Sequence, residues 1–163
     1  MIKVGILELQ GDFGLHHKIL QELGYDSYSV KESADLESLD GLIIPGGEST
    51  TMSLLIDSFN LRKSILDFSK ENPILGTCAG LILMARAIED ESKVNPLGIL
   101  DVEVSRNAYG RQIMSRKENI TIESDSKIFN IEVTLIRAPK ILKINKSINV
   151  IVEIDKSPAA VFD

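Results

Sequence analysis

Short apolar runs that hardly alternate with polar residues dominate the first half of the chain. Examples are Ile2–Leu9, Leu42–Ile44 and Ile74–Thr77, and a segment with helical spacing follows each of them. Strands that are apolar throughout are buried on both faces, which is typical of a parallel sheet covered by helices. The pattern predicts an α/β fold with a doubly wound, mostly parallel sheet and helices on both faces. A further short strand is predicted at Tyr25–Val30.

The helices between these strands are predicted from apolar spacing and from end signals. Gly24 is well placed to end the first helix, and Ser49, Thr50 and Thr51 offer N-caps for the second. The predicted helical segments are Phe13–Leu23, a segment from Ser49 through Leu55, Leu61–Phe68 and Ala79–Ala87.

The second half of the chain contains shorter strands that alternate more regularly. They predict an antiparallel extension together with the later strands of the same domain. The polar stretch 88–96 is predicted to be a loop, and with no linker or repeat we expect one domain over residues 1–163. The predicted strands are Ile99–Val104, Ile120–Glu123, Ile131–Ile136, Ile141–Ile144 and Val150–Ile154.

Composition excludes several classes of protein. A net charge of −6 and a pI near 5.0 argue against binding to nucleic acid or to an anionic membrane. The sequence has no apolar run of the length that a transmembrane helix needs. Cys78 is the single cysteine, so an internal disulfide and a cysteine zinc site are excluded, and a lone thiol fits the reducing cytoplasm. No metal cluster or phosphate-binding loop is visible, and we expect no cofactor.

The segment Ile74–Gly80 carries the sharpest chemical signal. An apolar strand runs into Cys78, Gly76 and Gly80 flank that cysteine, and a helix follows at once. This is the strand–turn–helix pattern of a nucleophile elbow, with cysteine in place of serine. The pattern predicts a strained backbone at Cys78 and close packing at both glycines. The N-terminus of the next helix is expected to lower the pKa of the thiol. A lone cysteine without this context is more often a small buried residue.

Pro45–Ser49 is the second candidate segment. Gly46 and Gly47 follow a predicted parallel strand, and their N–H groups could form an oxyanion hole for acyl transfer. Arg106 and Arg137 are candidate partners for a carboxylate, although a solvated loop arginine is the simpler interpretation of each residue alone. His16 and His17 are most simply interpreted as partly exposed helix residues, and neither is obviously placed to serve Cys78 as a base.

Five segments together resemble the glutaminase subunit of pyridoxal 5′-phosphate synthase, a class I (triad-type) glutamine amidotransferase. The resemblance covers essentially the whole chain, and its specific parts are the Gly-Gly-Glu-Ser-Thr-Thr and Arg-Asn-x-x-Gly-Arg-Gln strings. It implies a flavodoxin-like variant of the predicted fold. The segments are Leu9–Phe13, Pro45–Met52, Gly76–Ile82, Arg106–Gln112 and Ile136–Pro139.

The resemblance implies hydrolysis of L-glutamine to L-glutamate and ammonia, which passes to a separate synthase subunit. Cys78 is then the nucleophile that forms a γ-glutamyl thioester, and Gly46 and Gly47 lie in the oxyanion segment. Arg106 or Arg137 would suit the α-carboxylate of glutamine, and Glu48 its α-ammonium. Gln10, with the first helix, matches the face that meets the synthase subunit. The positions matching those that hold glutamine are Gly47, Glu48, Ser49, Arg106, Ile136 and Arg137.

One part of the family pattern is missing from residues 1–163. The family carries its triad histidine and glutamate in a Phe-His-Pro-Glu segment after the last strands, whereas the sequence here ends at Asp163 and has histidines at positions 16 and 17 only. Either the chain ends early or it is a non-catalytic homologue that acts as a binding or regulatory subunit of the same complex. We favour truncation, because every other motif is intact. A different cysteine-elbow protein, such as an amidase, fits the Arg-Asn-x-x-Gly-Arg-Gln string poorly.

Overall fold

The structure is a computed structural model and describes residues 2–89, 93–106, 116–124, 127–135 and 138–163. Contacts within the chain group into two compact units. The first comprises Met1–Ala85 and Ser92–Ile99, and the second comprises Arg86–Glu91 and Leu100–Asp163. In the described ranges, no helix is both long enough and apolar enough to cross a membrane. The organisation as one domain, expected from length, stays a prediction.

A four-stranded parallel sheet forms the centre of the first unit. Strand β1 (Lys3–Leu7) lies between β2 (Asp26–Val30) and β3 (Gly41–Ile44), and β4 (Ile74–Gly76) pairs with the other edge of β3. All residues of β3 are buried, as expected for a strand covered on both faces. The order β2-β1-β3-β4 reverses direction at β1, and ligands of such sheets bind at the carboxyl ends of the strands beside that reversal.

The helices of the first unit cover this sheet. They are α1 (Phe13–Glu22), α2 (Ser49–Ser58), α3 (Arg62–Phe68) and α4 (Ala79–Met84), with a short 3₁₀ helix at Ser33–Leu36. Because the strand order reverses at β1, right-handed crossovers put α1 on one face of the sheet and α2 and α3 on the other. The predicted α/β fold with a mostly parallel sheet is therefore confirmed. The fully buried side chains include Ile6, Leu7, Leu42, Ile44, Met52, Ile56, Leu61, Ile65 and Leu83.

The first and fourth helices test the predicted ends. Gly24 adopts a φ of +78° just past α1, as a glycine that ends a helix does, so that signal is confirmed. The fourth helix is shorter than predicted: it ends at Met84, and the chain turns into strand β5 (Ala85–Ile88). The prediction of helix up to Ala87 is therefore wrong. The Leu97 N–H donates to the Leu83 carbonyl. In a longer helix, this carbonyl would have accepted from the Ala87 N–H instead.

The second unit is built from antiparallel strands, which confirms the predicted extension. Strand β6 (Leu100–Ser105) pairs with β9 (Lys140–Ile144), and β5 joins them in the order β5-β6-β9. Strands β7 (Arg116–Ser124) and β8 (Lys127–Leu135) form a hairpin.

A second hairpin of this unit contains a strand that the sequence did not predict. Strand β10 (Asn149–Ile154) pairs with β11 (Ser157–Phe162) in antiparallel fashion. The two residues that join them, Asp155 and Lys156, have φ values of +52° and +60°. Such turns usually carry Asn-Gly or Gly, so the pair Asp-Lys gives little warning of a hairpin.

Candidate functional site

Cys78 lies at the turn between β4 and α4, where the sequence predicted a nucleophile elbow. Its φ is +51° and its ψ is −102°, a conformation that residues with a side chain rarely adopt. Cys78 is an exposed residue at the carboxyl end of β4, although neighbouring protein atoms partly desolvate its sulfur. The predicted backbone strain is confirmed, and the thiol is presented outside the sheet.

The flanking glycines allow this turn to pack closely. A Cβ added to Gly80 would collide with the backbone carbonyl of Ile44 on β3. A Cβ added to Gly76 would lie 2.6 Å from the Met84 sulfur and 2.7 Å from the carbonyl carbon of Gly80. Both distances are far shorter than a van der Waals contact, so the predicted need for glycine on each side of Cys78 is confirmed. The Thr77 N–H donates to the Ile44 carbonyl at 3.1 Å and extends the β3–β4 pairing to the elbow.

The pKa of the Cys78 thiol is raised above its ordinary value of 9.0. Desolvation by the surrounding protein is the main cause, and a hydrogen bond from the Ala79 N–H opposes it only in part. The net direction is opposite to the predicted lowering, because desolvation outweighs the hydrogen bond from the Ala79 N–H at the start of α4. Cys78 therefore needs a base to become a nucleophile at neutral pH.

The Gly46–Gly47 turn lies beside Cys78. A Cβ built on Gly46 would be 3.4 Å from the Cβ of Cys78, so the turn after β3 and the elbow after β4 are in contact. The turn is held from its other side by the loop that follows β1. The Asp12 N–H donates to the Gly46 carbonyl at 3.0 Å, and the Glu48 N–H donates to Gln10 Oε1 at 2.8 Å. Gly11 in this loop has a φ of +111°, and a Cβ there would collide with the Gly46 carbonyl.

Glu48 caps the helix that follows this turn. Its carboxylate accepts hydrogen bonds from the Thr51 N–H at 2.6 Å, the Thr51 hydroxyl at 2.7 Å and the Thr50 N–H at 3.1 Å. Partial burial opposes ionisation, but these hydrogen bonds outweigh it and lower the pKa of Glu48 to about 2. The N-cap of α2 is therefore Glu48 and not Ser49, Thr50 or Thr51, and Ser49 is buried. The three predicted caps are therefore wrong, since they lie one to three positions after the observed one.

The predicted site residues divide into three groups by position. The first unit brings together Cys78, the segment Gly46–Ser49 and Gln10. Arg106 is half-buried and directly follows β6 in the second unit. Ile136, Arg137 and residues 107–112 lie outside the described residues. Among the described residues, no three His, Cys, Asp or Glu side chains are grouped so that they could hold a metal ion.

The family is decided by the extent of the sequence match. Residues 6–161 match the SNO glutamine amidotransferase family. This chain belongs to that family. The pyridoxal 5′-phosphate synthase subunit PdxT of Oenococcus oeni is 43% identical over 150 residues, which are 92% of this chain and 77% of that protein. The subunit of the same name from Thermosipho africanus is 39% identical over 96% of this chain and 82% of its own length.

One solved structure agrees with membership of the glutamine amidotransferase family, and a second agrees in fold. A crystal structure of a glutamine amidotransferase superposes with a TM-score of 0.90 at 34% identity, over 98% of this chain and 84% of that one. The structure of PurLQS from Thermotoga maritima matches with a TM-score of 0.66 at 14% identity, over 96% of this chain and 77% of that one. The second likeness shows the fold alone.

Two features of this amidotransferase chain were not predicted from sequence. His16 reaches back from α1, and its Nε2 lies 3.4 Å from the hydroxyl of Thr77, the residue before Cys78. His17 Nε2 lies 2.6 Å from Glu8 Oε1, at the end of β1. The only hint of the second contact was Glu8 near the end of a predicted strand that is apolar except for Lys3 and Glu8. Nothing in the helical spacing shows which histidine faces the sheet.

Proposed function

We propose that this protein is the glutaminase subunit of a pyridoxal 5′-phosphate synthase. It hydrolyses L-glutamine to L-glutamate and ammonia, and the ammonia passes to a separate synthase subunit. The observation that carries the proposal is the strained Cys78 elbow in contact with the Gly46 turn, in a chain 43% identical to a PdxT subunit. The family membership supports glutamine as the substrate.

The reaction uses Cys78 as the nucleophile. Its sulfur attacks the side-chain amide carbon of glutamine, the C–N bond breaks, ammonia leaves with the thiol proton, and a γ-glutamyl thioester remains. Water then hydrolyses the thioester, which releases glutamate and returns the thiol. Gly46 and Gly47 supply the oxyanion hole. Because the Gly46 carbonyl binds the Asp12 N–H, and a trans peptide directs its carbonyl and N–H oppositely, the Gly47 N–H points away from Asp12.

The remaining predicted residues bind the rest of the substrate. Glu48 is ionised at neutral pH and suits the α-ammonium group of glutamine. Arg106 or Arg137 suits the α-carboxylate, since a guanidinium pairs with a carboxylate through two hydrogen bonds. The backbone around Gly47, Ser49 and Ile136 completes the binding site.

The synthase subunit binds the face that carries Gln10 and α1. No residue of α1 is fully buried, and Leu15, Ile19 and Leu23 expose 55%, 51% and 65% of their surface at successive turns of the helix. Such a stripe of apolar side chains is the kind of surface that a partner protein covers. We also infer that the protein works in the cytoplasm, where its lone thiol stays reduced, and that it uses no cofactor.

We infer that residues 1–163 by themselves turn glutamine over very slowly. A thiol with a raised pKa needs a base, and the histidines within these residues are His16 and His17. His17 is already bound to Glu8 and Ser27, and His16 contacts Thr77. Removing a triad base costs several orders of magnitude in rate in other enzymes.

The proposal is tested by measuring ammonia release with the synthase subunit present and absent. Residues 1–163 are compared with a chain extended by about 20–30 residues that include a histidine and an acid two positions later, roughly one strand and one helix. We expect the extended chain to release ammonia faster when the synthase is present, and replacement of the new histidine to abolish release. Release by residues 1–163 at the rate of the extended chain would contradict the inferred need for an added base. No release by either chain would contradict the glutaminase proposal.

A further inference from the structure

A compact polar network lies where β1 ends, apart from the Cys78 elbow. Glu8 exposes only 10% of its side chain and faces three hydrogen-bonding groups. His17 Nε2 lies 2.6 Å from Glu8 Oε1, the Ser29 hydroxyl donates to the same oxygen at 2.7 Å, and Lys31 Nζ lies 3.1 Å from Oε2. His17 lies on α1, Ser29 lies on β2 and Lys31 directly follows β2. Glu8, directly after β1, therefore connects a helix and the edge strand to the strand beside it.

The proton positions follow from the charge of Glu8. Burial opposes its ionisation, but hydrogen bonds from Ser29, His17 and Lys31 outweigh burial and lower the pKa of Glu8. An ionised carboxylate can only accept, so Nε2 of His17 donates. In a neutral His17 the other ring nitrogen, Nδ1, then accepts from the Ser27 hydroxyl, which is 2.7 Å away. Every polar atom of the imidazole is thereby used, and its ring orientation is fixed.

The Glu8–His17 contact joins two residues that flank the segment to which the Gly46 turn is hydrogen-bonded. Residues 9–16 lie between its two ends, and within them Gln10 accepts from the Glu48 N–H and the Asp12 N–H donates to the Gly46 carbonyl. Since α1 has no fully buried residue, apolar packing anchors it less firmly than it anchors α2. The contact to Glu8 is therefore one of the polar contacts that hold the first half of α1 against the sheet, together with that of His16 to Thr77.

We propose that Glu8 and His17 are positioning residues that hold segment 9–16 in place and, through Gln10 and Asp12, fix the backbone of the Gly46–Glu48 turn. The consequence for glutamine chemistry rests on the proposed function, because it requires that turn to be the oxyanion hole. The effect on the backbone of the turn does not depend on the proposed function.

The test is amide hydrogen exchange measured by NMR in the unliganded protein. In Glu8→Ala and in His17→Ala, the Glu48 and Asp12 amides should exchange at least about tenfold faster, as expected when a charge-assisted hydrogen bond that orders their partners is lost. The Thr77 amide, bonded to β3, should change less than twofold. The double variant should resemble either single variant at these two amides, because each single variant already breaks the Glu8–His17 contact. Glu22→Ala, which breaks only the exposed 3.9 Å pair with Lys18 on the same helix, is the matched control and should change neither amide.

A conservative variant separates positioning from general stability. In His17→Gln the side-chain amide can still donate to Glu8, so exchange at Glu48 should return toward the wild-type rate. If the Glu8→Ala variant does not fold, Glu8→Met serves instead, because methionine has a similar length but cannot accept the hydrogen bonds of His17 and Ser29, and it must still accelerate exchange at Glu48 and Asp12. Unchanged exchange at these two amides, with or without a lower melting temperature, would overturn the proposal. Because no substrate or synthase is present, a failed ammonia assay leaves this result intact.

Discussion

At the scale of single residues, the sequence was most informative where chemistry requires particular backbone geometry. The order Gly76, Cys78, Gly80 predicted the elbow. A side chain at Gly80 would collide with β3, and one at Gly76 would collide with α4. The positive φ of Cys78 is a conformation found at tight turns. The pKa of the thiol was not predictable in the same way. It depends on how many protein atoms surround the sulfur, and that is a property of the packed structure.

The raised pKa of Cys78 gives a prediction at this scale. The rate of alkylation by iodoacetamide should be low at pH 7 and should still be rising above pH 9.0, because a pKa raised above 9.0 leaves little thiolate at neutral pH. The rate should be measured from pH 6 to the highest pH at which the protein stays folded, with a cysteine peptide as the reference. A rate that reaches its plateau near pH 7 would instead show a thiolate stabilised by the helix N-terminus.

At the scale of elements, helices and central strands were predicted well and their ends less well. The apolar runs at β1 and β3 identified the buried centre of the parallel sheet, since buried strands need no alternation. The apolar run at β4 also forms a strand, but it lies at the sheet edge and Leu75 is exposed, so its expected burial on both faces is wrong. Strand β5 was missed because Ala85–Ile88 has good helix formers, and only its pairing with β6 makes it a strand. Glu48 was missed as a cap because glutamate is not a usual N-cap residue, and its longer side chain reaches the Thr50 and Thr51 N–H groups from one position earlier.

The cap on α2 predicts a pH-dependent loss of stability in Glu48→Ala. At pH 7 the variant should lose about 1 kcal/mol of unfolding free energy, as is typical for an N-cap. The pKa of Glu48 is lowered from 4.5 to about 2, so the carboxylate stabilises the fold above pH 4.5 and that contribution disappears as the pH falls toward 2. Urea denaturation at several pH values measures the difference from wild type.

Glu22→Ala is the control for this experiment, because Glu22 is exposed and makes only a weak pair with Lys18. Its effect should stay within about 0.5 kcal/mol at every pH. A Glu48→Ala deficit that is the same at pH 3 and pH 7 would mean that side-chain packing, and not the charged cap, accounts for the loss.

At the scale of the whole molecule, the sequence predicted the α/β fold and the antiparallel extension, but not the division of the chain into two compact units. The four parallel strands place Gln10, Gly46 and Cys78 at the carboxyl edge of one sheet, which topology alone made predictable. The proposed role of Arg106 in binding the α-carboxylate could not be derived from spacing, because that arginine follows the antiparallel strand β6 and not a strand of this parallel sheet.

The apolar stripe on α1 gives a prediction about assembly. Leu15→Ser and Ile19→Ser should each weaken binding to the synthase subunit by about tenfold or more, as loss of an apolar interface anchor does. Lys18→Glu, on the same helix, should weaken binding more than it changes the melting temperature. Leu54→Ser is the control, since Leu54 is 58% exposed but lies on α2. Affinity can be measured by titration calorimetry, and equal effects of Leu54→Ser and Leu15→Ser would place the interface elsewhere.

The central claim is that Cys78 is the nucleophile that attacks glutamine. Its most direct test starts from the complex that this chain forms with the synthase subunit. An electrophilic glutamine analogue is added to that complex, and the mass of the intact chain is followed with and without L-glutamine. We expect one adduct, mapped to Cys78, whose formation slows as L-glutamine is added but not when D-glutamine is added. Labelling of Cys78 at the same rate whether or not L-glutamine is present would contradict the claim.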